Sequence, residues 1–216
     1  MDKSSKEFAK NKLEGNKWNI IKPLLIIGAI SWFAGLLLGV FGFTPQTDFS
    51  RSATTDETVF SIVSSLVSVA LLPTLIGFCI YVVNLINGKT FDIKQIFSKY
   101  TEFVRIFITD FVEGLLIFLW SLLLVVPGII KAIEYSLVKF MLADERYDNL
   151  TTMELLKKSQ SLMNGHRKEY FMMNLYYIGL FILGIFTLGI YWVWVVPEAT
   201  MANAKFARTI LDKDKA

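Results

Sequence analysis

FVRIFITDFVEGLLIFLWSLLLVV at residues 103–126 runs directly into PGIIKAIEYSLVKFML at residues 127–142, and the reading of these two runs decides the fold. The first is long enough to cross a bilayer core of roughly 30 Å as a helix. Pro127-Gly128 stops that helix and turns the chain. The second run, Gly128 to Leu142, must then come back. It is short and holds Lys131, Glu134 and Lys139, so hydropathy alone passes over it. The bases that follow, Arg146, Lys157, Lys158, Arg167 and Lys168, nevertheless place the next segment in the cytoplasm, because a Lys/Arg excess in short loops fixes their side. The alternative is a re-entrant fourth run. It keeps the Lys157 region inside only if the third run does not cross, and it needs protein or water around its backbone.

Working outward from this hairpin, Trp18 to Phe43 and Val59 to Ile86 are two further apolar runs, the first preceded by Lys3, Lys6, Lys10, Lys12 and Lys17. Their length exceeds the apolar core of a signal peptide and no small-residue cleavage site follows. The connector, Thr44 to Thr58, sets Asp48, Asp56 and Glu57 against the single base Arg51 and reads as an outer loop. Lys89, Lys94 and Lys99 mark the return. Beyond the hairpin, Tyr170 to Leu188 goes out, Gly189 turns, and Ile190 to Ala207 comes back to a tail with Arg208, Lys213 and Lys215. Of 22 Lys and Arg residues, all but Arg51, Lys131 and Lys139 fall in or beside the segments this assigns to the cytoplasm. The fold expected is all-α: one polytopic helical bundle over residues 1–216, with six spans (18–43, 59–86, 103–126, 128–142, 170–188 and 190–207). The location expected is the plasma membrane, with both termini on its cytoplasmic side.

Composition agrees. The chain is 54% hydrophobic and only 19% charged, against about 45–50% and about 25% in a soluble domain. A net charge of +3 gives no reason to expect nucleic acid; its placement on one membrane face suits anionic lipids. The single cysteine, Cys79, leaves no intramolecular disulfide or Cys-rich metal site and reads as an apolar filler.

Two cytoplasmic stretches read as amphipathic helices lying on the membrane, residues 92–101 and 152–164. Asp92 with Gln95, and Thr151 with Glu154, have capping-box spacing. Ile93, Ile96, Phe97, Tyr100, Phe103 and Val104 make one apolar stripe; Leu155, Leu156, Ser159, Leu162 and Met163 make the other, stopped by Gly165. Basic flanks favour the interface, and packing against neighbouring spans is the competing reading. There is also a faint repeat, Leu13-Glu14-Gly15-Asn16-Lys17 before span one against Met163-Asn164-Gly165-His166-Arg167 before span five. It suggests a surface helix plus a two-span hairpin, used three times.

Ionisable residues inside apolar spans are costly unless paired or hydrated. Asp110 and Glu113 share one face of span three, with Lys131, Glu134 and Lys139 in span four and Glu198 in span six. Counting from Pro127 puts Glu113 about 21 Å and Lys139 about 18 Å below the outer surface, so an ion pair is geometrically allowed. Glu134 and Glu198 come out about 10–14 Å down, sharing a polar interior with Lys131. Asn174 and Asn203 add interhelical hydrogen bonds of about 1 kcal/mol. The cluster reads either as internal pairing that fixes helix register or as an ion-linked or headgroup pocket. Lys157, Lys158, His166, Arg167 and Lys168 are the bases expected to face lipid.

Enzyme readings fare poorly. One histidine, His166, gives no His-rich metal site, Asp110 and Glu113 leave no substrate gap for a paired-carboxylate mechanism, and no GxSxG, P-loop or dinucleotide fingerprint is present. No metal or cofactor is expected.

Several stretches carry a resemblance: Leu72-Pro73-Thr74-Leu75-Ile76-Gly77, Asn87-Gly88-Lys89 leading to Ile96-Phe97, Trp120 through Lys131, Leu142-Ala143-Asp144, Ser159 to His166, and Thr187-Leu188-Gly189-Ile190 with Trp194 and Pro197. From about Glu7 to Leu211 the chain resembles an integral membrane protein family of Gram-positive bacteria catalogued as domain of unknown function 975. Glu113 and Glu198 stand where that resemblance leads one to expect apolar or small polar residues. The family has no settled activity, so the resemblance implies architecture alone. The residues favour a non-enzymatic membrane protein that binds lipid, a membrane-active peptide or an envelope protein. The alternative is a small transporter or channel, a homo-oligomer using the buried charges.

Overall fold

The computed structural model describes residues 3–41, 54–88, 92–187 and 191–214. The expected turn at Gly189 and most of the 44–58 connector lie outside them. Among the described residues there is no strand, and the helices are α1 (Lys3–Val40), α2 (Thr55–Ala70), α3 (Leu72–Ile86), α4 (Phe103–Leu123), α5 (Val125–Glu134), α6 (Val138–Leu142), α7 (Thr152–Met163), α8 (Arg167–Phe186) and α9 (Trp192–Lys213), with 3₁₀ segments at Ile93–Glu102 and Glu145–Tyr147. Four helical stretches among these residues are long and apolar enough to cross a membrane: Trp18–Val40, Thr55–Ile86, Ile93–Leu123 and Arg167–Phe186. That is consistent with a membrane protein. The fourth and sixth expected spans are not among them.

The molecule divides into two layers. At one end the helices pack tightly, burying Tyr81, Met141, Leu155, Met163, Met201 and Phe206. At the other the apolar stretches of α1, α4 and α8 stand nearly clear of one another, with only 6%, 11% and 17% of their most apolar windows buried. Tyr81 links the two layers, its hydroxyl donating to the Asn19 carbonyl at 2.6 Å, so this level of α3 meets the start of the apolar part of α1. α9 packs against α1, α3 and α8, with Trp192, Val193 and Trp194 at its start exposed. Its contact face is rich in small residues, Ala202, Ala204 and Ala207 all buried, which lets neighbouring backbones approach. A helix shielded by its neighbours need not be uniformly apolar, which accounts for its modest hydropathy.

Several expectations are corrected. The chain turns at Leu124, in extended conformation, three residues before Pro127-Gly128. Pro127 instead falls in the first turn of α5, where its missing N–H removes a donor that would have no helical partner. Gly128 is held close to α4: a Cβ there would strike the Ser121 side chain. The bend and its flanks, Leu122 to Val126, are apolar and 66–71% exposed.

The fourth run stays helical but tightens between α5 and α6, where Ser136 and Val138 bond three residues back, to Ile133 and Tyr135. Asp92 does not form the expected box with Gln95. Its carboxylate accepts from the Lys94 N–H at 3.1 Å, while Gln95 accepts from Asn84 on α3 at 3.2 Å. Residues 93–102 accordingly form a 3₁₀ segment laid along α3, and Gly77 makes the approach possible, since a Cβ there would overlap the Ile96 carbonyl. Thr151 and Glu154 do form the expected box, and α7 ends at Gly165 with φ of +85°. The proposed repeat fails at its first unit, because Gly15 lies inside the unbroken α1 rather than at a helix end.

Candidate functional site

The charges read from the sequence as one buried cluster separate into several closed groups. Glu134, 3% exposed at the end of α5, is the centre of the largest. Lys131 Nζ lies 2.7 Å from one of its carboxylate oxygens and Arg167 Nη2 2.9 Å from the other. Lys131 also lies over the rings of Trp120 and Tyr135. The Glu134 backbone carbonyl accepts from the buried Ser159 hydroxyl of α7 at 2.6 Å. Glu134 thus sits against α7.

It shares nothing with Glu198. That residue accepts from the Tyr177 hydroxyl at 3.4 Å across the α8–α9 pair, because α5 packs on α4, α7 and α8 whereas α9 packs on α1, α3 and α8. Asn174 and Asn203 donate to each other's amide oxygens at 3.3 and 3.4 Å, and each also donates to the carbonyl four residues back. These amides are satisfied within the protein.

Glu113, Asp110 and Lys139 come together, but not as an ion pair: no ion pair among the described residues joins Glu113 to Lys139. With Ile76, Ile106 and Leu142 they line a cavity of about 20 Å³ between α3, α4 and α6, roughly the space of one water. Glu113 is half-buried, and Asp110 and Lys139 are exposed. The arrangement can hold a water between acid and base; it has no room for an organic substrate.

Of the five bases expected to face lipid, Arg167 is engaged by Glu134, Lys158 by Asp214 at 2.6 Å, and His166 by Glu169 at 3.2 Å. Lys157 and Lys168 are exposed. Spacing could have suggested Glu169, three residues from His166, but not Glu134 or Asp214, which come from elements distant in sequence.

Two networks escaped sequence reasoning. Arg105 at the start of α4 donates to Glu102, to Asp148 and to the carbonyls of Tyr147 and Leu150, tying α4 to the loop before α7. Thr109 and Thr152, 3.1 Å apart, extend that tie. In the loop itself Asp144 receives three bonds from the Arg146 guanidinium, which also donates to the Leu211 carbonyl. Burial works to raise the Asp144 carboxyl, yet the Arg146 hydrogen bonds outweigh it and hold the group below the usual carboxylate range. Tyr147 donates to Asp214 at 3.1 Å, and burial, then the Asp214 charge, pushes its phenol up to about 12. The advance signals were local, the Asp144-x-Arg146 spacing and the three-residue step from Glu102 to Arg105.

Residues 122–214 match the model of a family described as Protein of unknown function (DUF975), and the match supports membership of that family. It covers the C-terminal part of the stretch over which the resemblance was read. No curated protein and no solved structure matches the chain.

Proposed function

We propose, taking membership of the DUF975 family as the premise, that the chain is a non-enzymatic integral protein of the cell membrane that binds partners within the bilayer. The partners are lipid and an apolar segment of a membrane-active peptide or envelope protein. The observation that carries this reading is the closure of the polar groups. Glu134 is taken by Lys131 and Arg167, Asn174 by Asn203 and Glu198 by Tyr177, leaving at Glu113 only a water-sized space. A solute pathway would need such groups to line a continuous wet cavity. The splayed apolar stretches of α1, α4 and α8 supply lateral surface instead.

Two topologies put both termini in the cytoplasm: six complete crossings, or four with the α4–α5 hairpin entering part-way from the inside. The contacts of Glu134 with Ser159 and of Thr109 with Thr152 favour the second. Counted from α7, they allow the hairpin a rise of only about 14–21 Å, short of the roughly 30 Å core.

The water-sized cavity at Asp110, Glu113 and Lys139 is the one feature favouring ion-linked transport. Purified protein in liposomes loaded with a pH-sensitive dye separates the readings. Wild type and Glu113→Gln should both leak protons no faster than empty liposomes. In a host challenged with membrane-active peptides, Phe118→Ser and Ile182→Ser, on the exposed faces of α4 and α8, should change survival while Glu113→Gln matches wild type. Proton flux that disappears in Glu113→Gln would overturn the binding reading.

A further inference from the structure

A crevice of about 370 Å³ opens between the end of α3, the end of α6, the Asp144–Arg146 loop and α9. Its size is that of a small-ligand site. Its lining changes character along α3. Along α3 it passes from Ile80 and Val83 to Asn84 and Asn87, and Phe140, Glu145 and Arg208 also line the crevice. Ile80, Val83, Asn84 and Asn87 share one helical face, and the step from Ile80 to Asn87 is about 10 Å.

The depth of the crevice follows from a neighbouring bond. Tyr81 donates to the Asn19 carbonyl beside Trp18, where the apolar part of α1 begins, so the Ile80 end lies level with the hydrocarbon boundary. The Asn87 end then lies about 10 Å outside it, at the water-facing edge of the headgroup layer, which is about 5–8 Å thick on each side. An apolar end at the hydrocarbon and a polar end at the water is the profile of a phospholipid's glycerol and headgroup.

The charges select within that class. Arg146 is consumed by Asp144 and the Leu211 carbonyl. Arg208 pairs with Asp212 by charge, Nε lying 3.0 Å from the carboxylate without a hydrogen bond, and its terminal nitrogens make no hydrogen bond with another described residue, which leaves them for an anion. Glu145 is exposed and makes no ion pair with another described residue. One guanidinium and one carboxylate therefore remain to meet the ligand, and the four charged side chains of the lining sum to zero: Arg146 and Arg208 against Asp144 and Glu145. A purely anionic headgroup would leave the Glu145 carboxylate without a counter-charge; a phosphodiester that carries its own ammonium satisfies both remaining charges. We infer that this crevice binds the headgroup of a zwitterionic, ammonium-bearing phospholipid, with Arg208 at the phosphate and Glu145 at the ammonium. The site is distinct from the surface bases Lys157 and Lys168 and from the α4 and α8 faces of the proposed function.

Delipidated full-length protein, titrated with dioleoylphosphatidylethanolamine or dioleoylphosphatidylglycerol and read by native mass spectrometry, tests this. Wild type should retain the ethanolamine lipid about tenfold better than the glycerol lipid, the scale of one charge-assisted contact. Glu145→Gln should bring that ratio close to one. Arg208→Gln should weaken both lipids about tenfold, the loss of a guanidinium–phosphate contact. Ile80→Trp, which fills the apolar end and leaves every charge in place, should weaken both with the thermal midpoint unchanged, so that a folding defect in Arg208→Gln does not decide the matter. Equal retention of the two lipids by wild type, or full retention by Ile80→Trp, overturns the inference. Displacement of the lipid by soluble glycerophosphoethanolamine at equal concentration also overturns it, since the site would then read a free phosphodiester. Each of these outcomes leaves the proton-flux test of the proposed function untouched.

Discussion

Glu134 is where the chain commits a charge to its interior, and the two cations that hold it come from different helices, Lys131 one turn back on α5 and Arg167 at the start of α8. Removing the carboxylate leaves both without their partner. Because Arg167 remains 39% exposed, the loss belongs at the lower end of the range for breaking a buried pair, about 3 kcal/mol. Glu134→Gln should therefore lower the thermal midpoint in detergent markedly, and Glu134→Gln with Lys131→Met should be less damaging than the sum of the two changes. Additive effects would mean that the pair is not coupled. The local half of this group was legible: Lys131 and Glu134 are three apart on one helix. Arg167 was not, because only the fold brings residue 167 beneath residue 134. Tyr147 gives a second expectation, with a pH window. Its phenol rises from 10.0 unfolded to about 12 folded, so between those values the native state holds a proton that the unfolded state has released. Stability from this group is intact below pH 10 and falls as pH climbs toward about 12. Denaturant midpoints measured across that interval should fall less steeply in Tyr147→Phe than in wild type, and identical slopes would remove Tyr147 as the cause.

At the scale of elements, the contact between α3 and the 3₁₀ segment Ile93–Glu102 rests on the absence of one side chain. At Gly77 an added Cβ meets the backbone carbonyl of Ile96, which cannot rotate away as a side chain would. Gly77→Ala should cost about 1–3 kcal/mol, the range for overpacking. Gly35→Ala, in the exposed part of α1 with nothing near the added methyl, should be neutral or slightly stabilising. Thermal unfolding of the two variants side by side checks the contrast, and equal effects would deny the close approach. The apolar runs, the Thr151–Glu154 cap and the Gly165 stop were readable because each is decided within a few residues. The Leu124 bend was misplaced at Pro127 because proline is tolerated in the first turn of a helix as readily as it ends one. A 3₁₀ segment in place of an α-helix at residues 93–102 likewise follows from what α3 offers, including the Asn84 amide that draws Gln95 away from its cap.

For the whole molecule, sidedness is the property most open to test. In a Cys79→Ser background, an impermeant maleimide should reach Asn149→Cys from the same side as Asp214→Cys and reach Thr55→Cys from the other. Under the topology proposed above, Leu124→Cys should react from neither side in intact membranes; labelling from the Thr55 side would restore six complete crossings. The charge bias of the sequence points to a cytoplasmic placement of both ends of the chain, which this labelling tests. It could not register the contacts with α7 at the base of the α4–α5 hairpin, on which the proposed height rests. The bend from Leu122 to Val126 bears on how the protein is made. Under the hairpin topology proposed above, a bend with no polar side chain carries nothing hydrophilic into the bilayer, so α4 and α5 can enter together from the side on which they are synthesised. Integration of this part of the chain then becomes a folding step within the membrane, independent of the machinery that exports polar loops.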